Sequence, residues 1–279
     1  NGLIWRVRER GGTVWLAGSL HQLPEAARLS PTYERAFEQA ERLVTEIDLD
    51  DLDPAAMAAA LMGRALLPPD RSLQTLLGPQ RWARLQPHLA ALGMPELLVE
   101  RLRPWAVALL LSSAGLARGG ASPANGVENQ LLRRAVADRK PVEGLETVAF
   151  QLALFDGLSE ADQLQMLDRS LADFDVLPAQ LQAIEHAWRQ GDPKALEAVL
   201  QRLDPERSQV LQQRFVTRRN AAWLPRILEL LRRRDDTLVV VGALHLIGEQ
   251  GLVALLRRRG LQVEPLRPAA PAAAAHPHR

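Results

Sequence analysis

The sequence predicts an α/β protein in which a small mixed sheet, built from both ends of the chain, carries extensive helical insertions. Three observations predict it. Residues 13–21 read TVWLAGSLH and residues 237–245 read TLVVVGALH, each a β-branched and apolar run ending in Gly, two small or apolar residues and His. Runs of this length without helical period suit strands covered on both faces. The chain then closes on a strand (237–241), a helix (about 248–259, stopped by Gly260) and a last strand (261–266). Between the two ends, apolar positions recur near helical spacing and are punctuated by Pro and Gly.

Taken in order, residues 3–8 (LIWRVR) alternate apolar and polar, and Gly11-Gly12 follow, so a β-hairpin with residues 13–17 is expected. Ser30-Pro31 reads as an N-cap and a first-turn proline opening a helix to about residue 42. Residues 43–47 (LVTEI) form the next strand, with Asp48, Asp50, Asp51 and Asp53 after it. Short helices follow at 54–65, 72–77, 79–92, 95–102 and 104–116, then a loop, a helix at 125–139 and a short strand and turn at 141–145. Further helices are expected at 146–155, 159–174, 178–190 and 192–200. Another runs from Asp204-Pro205 to about Arg219, and a separate one covers 220–234. The organisation is one domain over residues 1–267, with helical cap regions at about 54–116 and 159–219, and a disordered Ala- and Pro-rich tail at 268–279 that holds His276 and His278.

Bulk properties narrow the function. Lys and Arg (34) balance Asp and Glu (33), and the arginines form no basic stripe, so nucleic acid is not an expected partner. With no cysteine, thiol nucleophiles, disulfides and thiolate-ligated metals are excluded, and any transition-metal site must use His, Asp, Glu or water. No run of eighteen apolar residues exists, so no transmembrane segment is expected. HExxH, GxGxxG, P-loop and GxSxG strings are all missing.

What remains is His21 and His245. Each stands just past the C-terminus of an expected strand, the edge at which open parallel sheets bind ligands. A histidine there can ligate a metal through one ring nitrogen while an acceptor fixes the other. Glu46 interrupts an apolar strand near its end, and a buried carboxylate needs a cation or donors. Glu128 sits among apolar neighbours, whereas Glu143, Glu146 and Asp48 are further carboxylates, the last two reading more simply as surface residues. Arg218 or Arg219 can reach a carboxylate or a developing oxyanion, and Asn220 reads equally well as an N-cap. His88 and His186 have no matching partner pattern.

The strings GSLHQLP (18–24), TEIDL (45–49), GVEN (126–129), KPVEGLET (140–147), RRN (218–220) and VVVGALHLIGEQGLVALLRRRGLQVEPL (239–266) together resemble the TraB/GumN family, which also contains the Tiki metalloproteases. The resemblance implies a fold like that of the erythromycin esterase and ChaN groups, and for the Tiki branch a membrane-tethered protease dependent on manganese or cobalt. Carried over, Gly18 with His21 and Gly242 with His245 match the two GxxH motifs, Glu46 the acidic position after the next strand, and Glu128 and Glu143 the middle acidic motifs.

The resulting expectation is a metal-dependent hydrolase, most readily a metallopeptidase of the bacterial periplasm acting on a peptide or protein. His21, His245, Glu46 and Glu143 would serve as ligands to Mn, Co or Zn, Glu46 or Glu128 as base, Arg218 as a helper at the oxyanion, and Gly18, Gly242 and Asn220 as supporting residues. The alternatives are a non-catalytic metal- or haem-binding envelope protein and an esterase.

Overall fold

A computed structural model of the chain describes residues 2–9, 11–48, 53–205 and 208–266. Asp50, Asp51 and the expected tail with its two histidines lie outside the described residues.

Hydrophobic runs at both ends pair into one six-stranded sheet. Strands β1 (Ile4–Arg8), β2 (Thr13–Ser19), β4 (Arg42–Ile47), β6 (Val142–Glu146), β7 (Thr237–Gly242) and β8 (Gln262–Pro265) stand in the order β6-β4-β7-β2-β1-β8. The pairs β6–β4, β4–β7 and β7–β2 are parallel, and β1 is antiparallel to both its neighbours. The sheet is thus mixed and draws on both ends of the sequence, as expected. Every residue of β7 is buried, which is why its sequence is a continuous apolar run rather than an alternation. A second, two-stranded sheet pairs β3 (Leu23–Pro24) with β5 (Ala121–Ser122).

Helices α1 (Pro31–Gln39), α6 (Val127–Ala137), α9 (Leu177–Gln190), α10 (Pro193–Leu203), α12 (Arg218–Arg232) and α13 (Leu252–Arg258) contribute side chains to the core around the sheet, among them Phe37, Leu131, Trp188, Leu196, Ile227 and Leu256. Helices α3 (Leu73–Ala91), α4 (Glu96–Val99), α5 (Pro104–Arg118) and α8 (Glu160–Asp173) share a second core with Trp82, Leu85, Val99, Trp105 and Leu167. The two helical regions expected as caps therefore pack on each other. Two further helices, α2 (Pro54–Ala65) and α7 (Val148–Asp156), lie against one another.

Three local expectations are corrected. Ser30 precedes α1 but its side chain makes no capping bond, and Pro31 starts the helix without it. The helix expected from Gly248 begins only at Leu252. The break expected between Arg219 and Asn220 does not exist. Instead α11 (Gln209–Gln212) runs through a turn of π-helix at Gln213–Thr217 straight into α12.

The end of β2 is pinned from behind. The Gly18 carbonyl accepts the Tyr33 hydroxyl and, at 2.7 Å, the Trp188 indole N–H. Burial pushes the Tyr33 hydroxyl well above its ordinary pKa, so it stays a neutral donor. Tyr33→Phe leaves the indole bond in place and is expected to destabilise the fold by about 1 kcal/mol, measured as a lowered urea midpoint at unchanged slope.

Candidate active site at the strand edge

Pairing of β2 with β7 sets Ser19 opposite Gly242, so the two GxxH segments leave the sheet side by side. His21 follows β2 directly. His245 ends a single 3-10 turn, Ala243–His245, after β7. Glu46 is the penultimate residue of the neighbouring β4, and Glu146 ends β6. All four stand at the C-terminal edge of the parallel strands, where the peptide ends leave room for a ligand.

The Nδ1 of His21 lies 2.7 Å from Glu128 Oε1, and the Ser19 hydroxyl donates to the same oxygen. Glu128 is in the first turn of α6 and is buried. Gly126 lets that turn approach, because a Cβ there would stand 2.2 Å from the His21 carbonyl oxygen. The Glu128 carboxylate raises the His21 pKa to about 9, against burial, with Glu46 adding to the effect and Arg219 opposing it. His21 lines an open recess, and its side chain is 64 % exposed. Water therefore reaches the ring and screens the pair, so the energy of the pairing is small.

His245 is held differently. Its Nδ1 lies 2.7 Å from Asn220 Oδ1, and the Asn220 amide donates to the carbonyls of His245 (3.1 Å) and Gln250 (2.9 Å). Asn220 is thus a fully buried anchor inside α12 and not a helix cap. Arg219 Nη1 lies 3.1 Å from His245 Nε2, which must therefore accept, leaving the proton on Nδ1. Burial, with Arg219 and His21 nearby, lowers the His245 pKa to about 3 against the pull of Glu46. The imidazole is neutral at physiological pH.

Glu46 is 8 % exposed. Its Oε1 accepts the Gly242 N–H at 2.8 Å and lies 3.8 Å from His245 Nε2. Its Oε2 accepts Arg219 Nη2 at 2.5 Å and the Gln151 amide at 3.2 Å. Burial pushes this carboxyl up, but His21, His245, Arg219 and the Gly242 N–H outweigh it and hold it at about 2. Because His245 is neutral above pH 3, His21, Arg219 and the backbone donor carry that effect at neutral pH. Arg219 in turn is gripped by Glu146, with Nε 2.9 and 3.3 Å from the two carboxylate oxygens and Nη2 on one of them. The Trp223 indole donates to the same carboxylate at 2.9 Å and lies under the guanidinium.

Of the sequence-derived candidates, the structure brings His21, His245, Glu46, Glu128, Gly18, Gly242 and Asn220 together. It does not bring in Glu143 or Arg218. Glu143 meets Arg42, Arg226 and Arg233, away from both histidines, and Arg218 is exposed while Arg219 takes the buried place. Glu146, read from sequence as a surface residue, is the arginine's main anchor. The one signal in the sequence is the need of Glu46 for a buried cation, since such a cation needs a second carboxylate; the pairing of β4 with β6 that supplies it is seen in the structure. His88 packs on Phe174, and His186 pairs with Gln190.

Above this cluster opens a recess of about 640 Å³, walled by Leu177, Leu181 and Ile184 of α9, Leu196 and Leu200 of α10, and Phe215. A second hollow of about 660 Å³ near Trp5, Lys194 and Arg257 contains neither histidine.

The profile of the TraB/PrgY/gumN family matches residues 3–265. This chain belongs to the TraB/PrgY/gumN family. Relatives include the uncharacterized protein YbaP of Escherichia coli K12, 27 % identical over 243 residues that span 87 % of each chain. An uncharacterized protein of Treponema pallidum is 24 % identical over 275 residues, covering 93 % of this chain and 81 % of the relative. No solved structure matches the chain.

The donor set can be tested against a transition metal. Both histidines have Nδ1 engaged, by Glu128 and by Asn220, which orients Nε2 for ligation, and at His21 an ion would have to displace the Nε2 proton that the raised pKa keeps there. Gly242 leaves open a point 3.1 Å from His21 Nε2 and 3.4 Å from Glu46 Oε1, where any other residue would put its Cβ. The donor type, imidazole with carboxylate, suits Mn, Co or Zn. Among the described residues, however, no three such side chains converge as a ready cage, and Arg219 covers His245 Nε2.

The neutral state of buried His245 gives a stability signature. Its folded pKa lies below its unfolded value of 6.5, so the unfolded chain takes up protons first as pH falls. Stability from this group is complete above pH 6.5 and drains away down to about pH 3. In urea titrations across that window, His245→Gln is expected to flatten the acid loss relative to the parent, and an unchanged slope would refute the assignment.

Proposed function

We propose that this chain is a metal-dependent hydrolase, with peptide bonds as its substrate class and the bacterial periplasm as its place of action. The observation that carries the reading is the gap beside Gly242, flanked by His21 Nε2 and Glu46 Oε1 at the strand edge, with both histidines fixed through Nδ1. His21, His245 and Glu46 would hold the ion. When bound, Mn, Co or Zn supplies Lewis acidity and lowers the pKa of a water molecule.

The chain's own groups orient the ligands and set the charge of the site. Glu128 orients the His21 ring and takes its Nδ1 hydrogen bond, a duty that leaves it behind the ring and makes it an orienting group rather than the base. Asn220 fixes the His245 tautomer. Glu46, ionised, supplies negative charge and, through its Gly242 bond, stays aimed at the gap. Arg219, rather than Arg218, would be the fixed positive charge beside the site, anchored on Glu146 and available to a developing oxyanion. The apolar walls of the recess would bind the side chains of a substrate beside the site. The family relationship supports the reading through the Tiki resemblance, and the relatives found are bacterial.

Elemental mass spectrometry of the purified chain is expected to find near-stoichiometric Mn, Co or Zn, and a His21→Ala, His245→Ala double variant is expected to lose both the metal and peptide turnover. Turnover that persists in the metal-free double variant would overturn the proposal.

A further inference from the structure

Arg219 poses a problem for any cation at this edge. Its guanidinium fills the space between Glu46, Glu146 and His245, and Nη1 lies on the very lone pair that His245 would offer a metal. A unit positive charge there also repels a divalent ion. Yet the contacts of Arg219 divide into two groups. Toward the histidines it has Glu46 and His245 Nε2. Away from them it has both oxygens of Glu146, the Phe215 carbonyl at 3.2 Å and the face of Trp223, 4.6 Å from the ring centre. Glu146 is itself fixed by Trp223 Nε1 and by Gln151, whose amide reaches both Glu146 (2.9 Å) and Glu46 (3.2 Å).

We infer that Glu146 is a positioning residue for the metal site, acting through Arg219: it holds the guanidinium as a built-in cation over Glu46 and His245 Nε2, and keeps a place for it when a divalent metal displaces it. This rests on the proposed metal site. In the metal-free chain Arg219 neutralises two buried carboxylates that would otherwise stand unpaired, a costly arrangement. On metal arrival the guanidinium gives up its Glu46 and His245 contacts and retains Glu146, Trp223 and Phe215, so no buried charge is orphaned. Arg219 therefore competes with the metal, and Glu146 eases that competition.

The test is calorimetric titration of the metal-free full chain with zinc ion alone, on four proteins: parent, Arg219→Gln, Glu146→Gln and the double variant. Arg219→Gln is expected to bind zinc about tenfold more tightly, the equivalent of one charge-assisted contact no longer displaced. Glu146→Gln is expected to weaken binding in the parent background but to change it less than about twofold when Arg219 is already Gln, because its effect runs through the arginine. A merely electrostatic Glu146 would weaken zinc binding equally in both backgrounds, and that result would overturn the inference while leaving the metal site standing. So would zinc affinity unchanged in Arg219→Gln. Absence of zinc binding in all four proteins would instead bring down the metal site itself, and the inference with it. Thermal melts of each variant verify folding, and the double variant, which removes both charges together, guards against collapse of a single one.

Discussion

The parallel ladder between β2 and β7 is the constraint on which everything else at this edge depends. Ser19 stands opposite Gly242 because six consecutive residue pairs, from Val14 with Thr237 onward, lock the two strands in that alignment. Side chains alternate between faces along a strand, so a slip of one residue would turn the buried set outward and separate the two motifs. More than two hundred residues lie between the partners. Closing so long a loop costs little more than closing a shorter one, since the entropic penalty grows only logarithmically. The helical insertions can therefore be large, provided they return the chain to the same edge, and they use that freedom to build a second core and the apolar walls of the recess.

Placing three glutamates, an arginine and two histidines in such a setting would be ruinous were any left unmatched. The cluster avoids this by division of labour. Glu128 serves His21, Glu146 serves Arg219, and Glu46 is shared between a backbone N–H and the guanidinium. His245 stays neutral and is satisfied at both ring nitrogens. Carboxylates outnumber the fixed cation, so the edge as a whole is electronegative.

Much of this was legible in the sequence. Strands buried on both faces announce themselves as unbroken apolar runs, and a glutamate breaking such a run at position 46 could only mean a buried partner. The two GxxH strings had to meet once their strands were parallel neighbours. The choice between Glu143 and Glu146 was not legible, because β6 is short and half-buried along its whole length, with no alternation to show which face is which. Only the packing of Arg42, Arg226 and Arg233 around Glu143 reveals that it points elsewhere. The choice between Arg218 and Arg219 was hidden for another reason. Helical spacing read from sequence assumes 3.6 residues per turn, and the five residues ahead of Arg218 do not obey it.

That irregular stretch, Gln213–Thr217, has a consequence for how this segment can vary. Each residue added to or removed from an α-helix rotates everything beyond it by about 100°. The wide turn absorbs one residue's worth of rotation, so Arg219 and Asn220 face the sheet edge while α12 keeps Trp223, Ile227 and Leu230 buried. A single-residue deletion here would relax the backbone to an ordinary helix and thereby swing both side chains out of the cluster. Local comfort and the site's wiring are in opposition at this one turn. Length between α11 and α12 is consequently tightly constrained, because the same turn also supplies the Phe215 carbonyl that accepts from Arg219 and the Phe215 wall of the recess.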